Sequence, residues 1–453
     1  MDKLFPYQIE GVKWLSGRNT AILADEMGLG KTVQAIRGLD SIHAKTVIII
    51  CPSVARINWL REFEMWANLK REYAIMTKLT DKPPEGATII CSFDYASKNY
   101  QALNKIKWDV MIVDEAHFLK SQGAKRAKSI MGVEGIVRAA RRTWLMTGTP
   151  APNHPGELWV PLYTFGVTKL TYDDFIRRYC VIRDTTFGPQ ITGANVKNIP
   201  ELKQLISNIM LRRLKRDVMK ELPPITYGYK HVEPGLVKVQ DMASFLQYFV
   251  PTDKIDILKE KLRREAETLN ILFSNTKNDT EDHLRVIQGL QESVSTLRRY
   301  LGLQKVQPTV EIIIQAIKSK TFKKVVIFAV HRDVIEELRI GLREFYPVVL
   351  YGNTDPKQRQ KNIDRFQNTE KYQVFIGNIQ AAGTAITLTA AHNVYFVEQD
   401  WVPGNNAQAV MRVHRIGQEN PVSVRFVVLD KTLDARIGFI LKKKTEELTQ
   451  IFD

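Results

Sequence analysis

The feature that most constrains the fold is a series of short apolar runs that alternates with helix-like segments along the chain. The runs are rich in Val and Ile and mostly continuous, which is typical of parallel strands buried on both faces of a sheet. Two consecutive α/β sheets are therefore predicted. In the first half we predict strands at Thr20–Ala24, Thr46–Cys51, Ala87–Cys91, Asp109–Val113 and Arg142–Thr147. In the second half we predict them at Lys324–Ala329, Tyr346–Leu350, Gln373–Gly377, Val394–Val397 and Val422–Leu429.

A different texture lies between the two halves. From 254 to 301, apolar residues recur at spacings of three and four around a polar break at 275–279, which predicts a helical hairpin. A second helical patch, rich in Arg and Lys, is predicted for roughly 171–220. A chain of 453 residues has room for two large domains or about three smaller ones.

The charge balance indicates a polyanionic partner. Lys and Arg number 65 against 49 Asp and Glu, for a net charge of +16. Nucleic acid is favoured over a membrane, since the sequence contains no long apolar span. A generally basic enzyme would show the same balance, so charge alone does not decide. We expect Cys51, Cys91 and Cys180 to be buried, reduced thiols rather than a disulfide framework or a zinc site.

The stretch DEMGLGKT, residues 25–32, follows a short apolar run and precedes a helix with an apolar face. Gly28 and Gly30 let the backbone turn with positive φ and approach a ligand, and the helix N-terminus offers N–H groups to an anion. Lys31 is then able to reach the β- and γ-phosphates of a nucleotide, and Thr32 to bind Mg²⁺. The usual first glycine of a phosphate loop is replaced by Asp25. A capped turn with a solvated lysine is the alternative.

A second motif, WDVMIVDEAH, places Asp114 and Glu115 directly after an apolar strand. Ligands of open α/β sheets bind at the carboxyl ends of the strands. Asp114 is suited there to hold the Mg²⁺ ion that Thr32 also contacts, and Glu115 to orient and deprotonate an attacking water. With a G-L-G-K-T loop in the same sheet, this pair indicates a nucleotide site rather than a helix cap.

Several motifs together resemble the Swi/Snf-type branch of superfamily-two helicase-like ATPases. They occur in family order and cover nearly the whole chain: FPYQIEGV at 5–12, DEMGLGKT, DEAH, LMTGTP at 145–150, MLRRLKRDVMKELPP at 210–224, YGNTDPKQRQKNIDRFQ at 351–367, GNIQAAGTAITLTAA at 377–391 and QAVMRVHRIGQ at 408–418. The segment RRYLGLQKV, 298–306, is similar to the annealing-helicase branch, which rewinds DNA or remodels forks.

The resemblance implies two tandem RecA-like α/β lobes. The N-terminal ATP-binding lobe would span 1–225 with a helical insertion at about 155–222, and the C-terminal lobe 226–453 with the hairpin insertion at about 254–301. It implies ATP and Mg²⁺ as cofactors and double-stranded DNA, possibly forked or branched, as the partner. We expect a monomer that does not bind a membrane. We expect it in the cytoplasm of a bacterial or phage-infected cell or, alternatively, in a nucleus.

The resemblance also assigns roles to single residues. Gln8 would read the adenine edge beside the loop residues that contact the nucleotide: Asp25, Glu26, Met27, Gly28, Leu29, Gly30, Lys31 and Thr32. Pro52, Ser53 and Ser92 follow strands and would touch the DNA backbone. His117 would relay between the Mg²⁺ site and the segment that couples nucleotide state to DNA: Thr147, Gly148 and Thr149.

In the second lobe, Gly383 matches the family's nucleotide-facing position and Thr384 its DNA-facing one. Ala385 stands where many relatives have a second glycine, and its side chain argues against close backbone approach there. Gln408, Arg412 and Arg415 are predicted to share a helical face, since they lie at spacings of four and three. Two arginines held in this way suit the spreading charge of a γ-phosphate across a cleft.

These inferences converge on a DNA-stimulated ATPase that hydrolyses ATP between two lobes and translocates along double-stranded DNA. A strand-separating DNA or RNA helicase is one alternative, and a slow ATP-gated DNA-binding switch is another. The catalytic residues would be Lys31, Asp114, Glu115, Arg412 and Arg415.

Overall fold

The structure is a computed structural model that describes residues 4–185, 188–233, 291–352, 354–382 and 386–429. Near the C-terminus it also describes residues 434, 438, 441, 445, 446, 448, 451 and 452. Within these residues the chain forms two parallel sheets and one two-stranded antiparallel sheet. No helix in the described part of the chain is long and apolar enough to cross a membrane.

The first lobe is built on a seven-stranded parallel sheet with the strand order β3-β4-β2-β5-β6-β1-β9. Two of its strands, β2 and β4, are buried along their whole length, and β1, β5 and β6 are buried over most of theirs, as the continuous apolar runs predict. The strands are β1 (Thr20–Leu23), β2 (Val47–Cys51), β3 (Tyr73–Ile75), β4 (Thr88–Ser92), β5 (Trp108–Asp114), β6 (Ala140–Met146) and β9 (Met210–Leu211).

Helices cover both faces of this sheet, and each face has its own apolar core. One core gathers side chains from the helices Pro6–Ser16, Lys31–Ser41 and Arg56–Trp66. The other receives side chains from the helices Phe93–Lys98, Tyr100–Leu103, Lys125–Met131, Trp159–Thr164, Tyr172–Tyr179 and Ile199–Ser207. This layering leaves the carboxyl ends of the strands as an edge at which loops meet.

The second lobe has a six-stranded parallel sheet with the order β10-β15-β14-β11-β13-β12. Its strands are β10 (Ile225–Val232), β11 (Val325–Ala329), β12 (Val348–Leu350), β13 (Val374–Asn378), β14 (Asn393–Phe396) and β15 (Val422–Leu429). The helices around it are Gln291–Gln304, Val306–Lys318, Arg332–Gly341, Pro356–Asn368, Ile379–Ala382 and Pro403–Val410. A short helix, Lys215–Val218, lies in the linker between the two sheets.

All ten predicted strands are present, with ends within two residues of the prediction, so the predicted fold of two α/β lobes is confirmed. Sequence reasoning missed β3, β9 and β10. The first two have only three and two residues, and β10 is an edge strand whose residues are all exposed or only partly buried.

The prediction of a helical patch over 171–220 is partly wrong. An antiparallel hairpin of β7 (Cys180–Thr185) and β8 (Gly188–Ala194) interrupts it. The chain leaves the helix at Cys180, which has extended backbone angles of −119° and 155°. The β-branched residues Val181 and Ile182 then favour a strand. Of the predicted hairpin at 254–301, residues 254–290 lie outside the described residues, and 291–301 belong to the helix Gln291–Gln304.

The end of the chain packs against the first lobe. Ile451 is 1% exposed and belongs to the same core as Ile206 and Met210, with Leu448 and Phe452 partly buried against it. The Arg212 guanidinium lies 5.4 Å from the centre of the Phe452 ring. The described C-terminal residues therefore return to the first sheet, whereas the division at 225/226 assigns them to the second lobe; that division stays a prediction.

Candidate active site

The loop between β1 and the helix Lys31–Ser41 has the shape of a phosphate cradle. Gly28 and Gly30 have φ angles of 85° and 73°, in the left-handed region that favours glycine. A Cβ atom at Gly30 would lie 2.5 Å from Gln8 Nε2, so a larger residue would have to displace the Gln8 side chain as well as adopt a strained backbone. Lys31 Nζ donates to the carbonyl of Asp25 at 2.8 Å, and burial lowers the pKa of this lysine. The loop thus curls around an ammonium group beside a helix N-terminus.

Asp25, which replaces the first glycine of the usual loop, faces the protein. Its side chain is fully buried and accepts hydrogen bonds from Arg213 and from Gln34 Nε2 at 3.0 Å. A direct contact between its carboxylate and a nucleotide stays a prediction. Its observed contacts tie the start of the loop to the helix Lys31–Ser41 and to the linker.

Gln8 is 4% exposed, and its amide is engaged within the first lobe. Its Oε1 accepts a hydrogen bond from Phe5 N at 3.0 Å, and its Nε2 donates to the carbonyl of Leu29 at 3.3 Å. Gln8 therefore supports the phosphate loop from the N-terminal helix. Its predicted reading of adenine is untested by these contacts, and the Phe5 ring, 43% exposed, stacks on Tyr7 beside it.

The acidic pair stands at the carboxyl end of β5, beside the phosphate loop. Asp114 Oδ2 accepts a hydrogen bond from Trp59 Nε1 at 2.9 Å, and its Oδ1 accepts one from Glu115 N at 3.0 Å. Burial, together with the neighbouring charge of Glu115, raises the pKa of Asp114 to about 6. Glu115 has a φ angle of 53°, an uncommon value for a non-glycine residue, and such strain clusters at functional sites.

His117 links the acidic pair to the turn after β6. Its Nδ1 lies 3.3 Å from Glu115 Oε2 and 3.1 Å from Thr147 Oγ1. Thr147 Oγ1 also accepts a hydrogen bond from Thr149 N at 3.1 Å. A Cβ atom at Gly148 would lie 2.4 Å from Met27 Cγ, so this turn approaches the phosphate loop closely. The geometry is compatible with the predicted relay and coupling roles, which stay predictions.

Arg412 and Arg415 come from the second lobe and line the same cavity as the phosphate loop. The cavity has a volume of about 300 Å³. Its lining residues are Met27, Gly28, Gly30, Lys31, Thr32, Val33, Pro52, Ala55, Asn58, Trp59, Glu62, Asp114, Glu115, Thr387, Arg412 and Arg415. Burial lowers the pKa of Arg412 to about 10, although the charge of Glu115 opposes this shift. The structure therefore joins, in one cavity, the catalytic residues that the sequence predicts.

The prediction that Gln408, Arg412 and Arg415 share a helical face is wrong. The helix Pro403–Val410 ends before either arginine, and beyond it the carbonyl of Arg412 accepts a hydrogen bond from Leu388 N at 2.8 Å. Gln408, 6% exposed, donates from Nε2 to Thr149 Oγ1 at 3.2 Å. It thus contacts the coupling turn of the first lobe. Gly383 and Thr384 lie outside the described residues.

The residues predicted to touch DNA have different surroundings. Ser53 is exposed and begins the 3₁₀ helix Ser53–Ala55, and Pro52 before it borders the cavity. Ser92 is 7% exposed, and its hydroxyl accepts a hydrogen bond from Tyr95 N at 3.1 Å as a helix cap. Their DNA contacts stay predictions.

Sequence reasoning missed the part that the linker plays in this site. Arg212 Nη1 donates to the carbonyls of Ala24 and Gly148, at 3.0 and 3.3 Å. Arg213 binds Asp25, and Lys215 is buried between the lobes. The sequence signal for this role was the basic run LRRLK, which lies between the two predicted sheets. Several cations so close together require acceptors nearby. The cavity residues Asn58 and Glu62 were also missed, although their spacing of four on one helix places them on one face.

The side chains of the cleft fit a Mg²⁺ ion. Asp114 and Glu115 are adjacent buried carboxylates, and Thr32 lines the same cavity with a hydroxyl group. Mg²⁺ prefers oxygen ligands and is usually held by one or two carboxylates together with substrate phosphates. The pKa of Asp114 is raised because this carboxyl is buried beside a second carboxylate. A bound cation would offset both effects and favour the ionised form.

A phosphate loop, an acidic pair and two arginines that meet between two parallel-sheet lobes define a helicase-like P-loop ATPase. Family models agree with this class. The SNF2-related domain matches residues 7–284, and the Helicase conserved C-terminal domain matches residues 304–417. Since the first match covers more than half of the chain, the chain belongs to the SNF2-related family of helicase-like ATPases, as its motifs predict.

Two curated relatives are similar over almost the whole chain. The human DNA annealing helicase and endonuclease ZRANB3 is 30% identical over 461 residues, which cover 98% of this chain and 40% of that protein. The SWI/SNF-related matrix-associated actin-dependent regulator of chromatin subfamily A-like protein 1 of Xenopus laevis is 29% identical over 456 residues, with 99% and 44% covered. This chain therefore spans less than half the length of these relatives. Among solved structures, the Sulfolobus solfataricus SWI2/SNF2 ATPase core in complex with dsDNA is 22% identical, with a TM-score of 0.44 over 100% of this chain and 97% of that one.

Proposed function

We propose that the chain is a DNA-stimulated ATPase that hydrolyses ATP between its two lobes and translocates along double-stranded DNA as a monomer. The observation that carries this proposal is the shared cavity of about 300 Å³. It is lined by Lys31, Asp114 and Glu115 of the first lobe and by Arg412 and Arg415 of the second. A site divided in this way ties hydrolysis to the relative position of the lobes.

The cavity residues have complementary tasks in phosphoryl transfer. The loop N–H groups and Lys31 bind the β- and γ-phosphates, and Glu115 orients the attacking water and accepts its proton. Arg412 and Arg415 stabilise the charge that spreads over the γ-phosphate in the transition state. A Mg²⁺ ion held by Thr32 and Asp114 would neutralise phosphate charge. His117, 3.3 Å from Glu115, keeps that carboxylate oriented towards the cleft.

The nucleotide site is connected to the turn predicted to face DNA. His117 Nδ1 lies 3.3 Å from the Glu115 carboxylate and within hydrogen-bonding distance, 3.1 Å, of Thr147 Oγ1, and Gln408 of the second lobe binds Thr149 of the same turn. A change at the γ-phosphate would therefore move this turn and the second lobe together. Alternation between the arrangement with the γ-phosphate bound and the arrangement without it advances the lobes along a polyanion.

Double-stranded DNA is the proposed partner for two reasons. The chain carries a net charge of +16, and nucleic acid is the polyanion that a phosphate-contacting motor grips without reading sequence. The human relative is also named as a DNA annealing helicase, and the product of annealing is a DNA duplex. Forked or branched DNA is included in the proposal as a substrate that offers both duplex and single strands.

Steady-state phosphate release with single-stranded, duplex and forked DNA tests the ATPase proposal, and a triplex-displacement assay tests movement. We expect duplex DNA to stimulate hydrolysis and ATP to drive loss of the third strand. Stimulation by single strands alone would instead support a strand-separating helicase. Slow turnover without displacement would support an ATP-gated switch.

Salt dependence provides a second test of the DNA partner. If phosphate contacts dominate, log K should fall by about 0.9 per contacted phosphate for each tenfold rise in salt concentration. Preference among base sequences should be small. Strong selection of one sequence that persists at high salt would contradict a motor that tracks the backbone.

A further inference from the structure

Lys215 is a buried lysine of the linker, and the roles derived above do not use it. It is 3% exposed and begins the short helix Lys215–Val218, between the first and second sheets. Lysine is almost never fully buried unless its ammonium group has partners. The hydrogen-bond partner of its backbone N–H belongs to the first lobe, and those of its Nζ belong to the second.

On the first-lobe side, Lys215 is fixed to the phosphate loop. Its backbone N–H donates to Glu26 Oε2 at 2.7 Å. Its side chain passes over the loop, since a Cβ atom at Gly28 would lie 3.3 Å from Lys215 Cε. Glu26 is itself held, because its backbone N–H donates to the carbonyl of Arg213 at 2.9 Å. The base of this lysine therefore has a defined position relative to the phosphate loop.

On the second-lobe side, the terminal amino group binds the turn that carries the two arginines. Lys215 Nζ donates to the carbonyl of His414 at 2.5 Å and lies 2.9 Å from Met411 Sδ. Met411 directly precedes Arg412, and His414 directly precedes Arg415. The backbone of the turn is thus attached to the phosphate loop through the chain Glu26–Lys215–His414.

We propose that Lys215 is a positioning residue that fixes the arginine-bearing turn 411–415 against the phosphate loop when the lobes close. This inference rests on the proposed ATPase function and adds to it the group that holds the two half-sites in register. Lys215 would not touch the γ-phosphate. It would instead set the distance at which Arg412 and Arg415 approach the phosphate, and small displacements of such groups have large effects on rate.

The electrostatic surroundings make this contact sensitive to pH. Burial lowers the pKa of Lys215 to about 7; the charge of Glu26 opposes this shift, and Arg415, Lys31 and Arg412 add to it. His414, whose Nε2 lies 2.8 Å from the carbonyl of Pro223, is also lowered in pKa by its burial. In an open state Lys215 would regain an ordinary pKa near 10.5. Closure then releases a proton, so a rise in pH between about 7 and 10 favours the closed state.

The test compares Lys215→Met with the wild type and with Lys220→Met, the same substitution at an exposed lysine of the same linker. Methionine keeps the unbranched apolar volume and removes the donor. Dyes at Val133→Cys and Ile340→Cys, two exposed positions, report the distance between the lobes, because the native cysteines are free and buried. Fluorescent-ATP titration, inter-lobe energy transfer and phosphate release with duplex DNA are measured from pH 6.5 to 9.

We expect Lys215→Met to bind nucleotide as the wild type does, to populate the closed state less, and to lose about 10- to 100-fold in kcat. The part of the pH dependence of closure that Lys215 contributes should disappear. Lys220→Met should match the wild type in every measurement. Normal closure and kcat in Lys215→Met would overturn the inference, and so would a loss of nucleotide binding, which would indicate a role within the first lobe. Absence of DNA-stimulated hydrolysis in the wild type would contradict the proposed function instead, and the energy-transfer measurement would still test the lobe contact.

Discussion

Arg213 donates two hydrogen bonds to the carboxylate of Asp25, from Nε at 2.9 Å and from Nη2 at 2.6 Å, across 188 residues of sequence. The same guanidinium binds Gln34 Oε1 at 2.8 Å and the carbonyl of Tyr7. One linker side chain thus joins the phosphate loop, the helix after it and the N-terminal helix. Asp25, which stands where the usual loop has its first glycine, is the buried anion that receives this arginine.

Replacement of Arg213 by Ala should destabilise the first lobe strongly. Asp25 is fully buried, and removal of its cationic partner leaves a buried anion that has a hydrogen bond from Gln34 but no neutralising charge from Arg213. Breaking a buried pair in this way costs about 3–5 kcal/mol. Urea unfolding should show this loss. Arg216→Ala is the matched control, since the Arg216 side chain is 69% exposed and lies three residues further along the linker. Equal stability of the two variants would show that Asp25 does not depend on Arg213.

Glu115→Gln should separate nucleotide binding from chemistry. Glutamine keeps the shape of the side chain and removes the base, so ATP should bind while hydrolysis nearly stops. Lys31→Ala should weaken ATP binding as well, because Lys31 lies within the phosphate loop. Fluorescent-nucleotide titration and phosphate release distinguish the two effects. Glu134→Gln, at an exposed position outside the cavity, should behave as the wild type. Wild-type turnover in Glu115→Gln would remove the DEAH segment from the catalytic role.

The raised pKa of Asp114 predicts a pH-dependent stability in the absence of Mg²⁺. Its folded pKa is about 6 against an ordinary value of 3.8, so the native state binds this proton more tightly than the unfolded chain does. The contribution of Asp114 to the unfolding free energy should therefore decrease as pH rises from about 4 to about 6, by at most about 1.4 kcal/mol per pH unit. Asp114→Asn keeps an acceptor for Trp59 and removes the titration. The stability difference between wild type and this variant, from urea unfolding at several pH values, should change over that window. A constant difference would show that Asp114 titrates normally.

The fold and the first-lobe site were predictable because their signals are local. Each Val- and Ile-rich run became a buried strand within two residues of its predicted ends. The phosphate loop and the acidic pair follow such strands directly, so the topology of a parallel sheet brings Lys31 and Asp114 to one edge. Periodicity and loop chemistry are sufficient for this step.

The remaining features depend on contacts between distant segments. The partners of Arg213 and Lys215 lie about 190 to 200 residues away, and no spacing in the sequence indicates such pairs. The packing of Ile451 in the first-lobe core is likewise a contact between distant segments that no spacing in the sequence indicates. The helical-face prediction for Arg412 and Arg415 failed because the helix ends at Val410 and the chain continues in turns, with Arg412 N donating to the carbonyl of Ala409. The spacing of polar residues alone does not show where a helix ends.

Substitution of either arginine by Ala should leave ATP and DNA binding near normal and remove most DNA-stimulated hydrolysis. Arginines that reach a γ-phosphate from a second lobe are worth about 10³ to 10⁵ in rate, because they act on charge that develops in the transition state. Arg415 also donates from Nη1 to the carbonyl of Ile386 at 3.1 Å, so its loss should loosen the turn. Arg412 instead interacts electrostatically with both carboxylates of the acidic pair. We therefore expect Arg412→Ala to have the larger effect on kcat.

The full chain is the right material for this test, because Ile451 belongs to the first-lobe core and a fragment that ends at residue 225 would lack it. Phosphate release is measured with and without duplex DNA, beside a fluorescent-nucleotide titration and a DNA-binding titration. Arg425→Ala provides a control within the same lobe, since that arginine contacts Asn393 and Tyr395 away from the cavity. DNA stimulation would act as a population shift towards the closed lobes. Full DNA-stimulated turnover in both Arg412→Ala and Arg415→Ala would contradict an active site shared between the lobes.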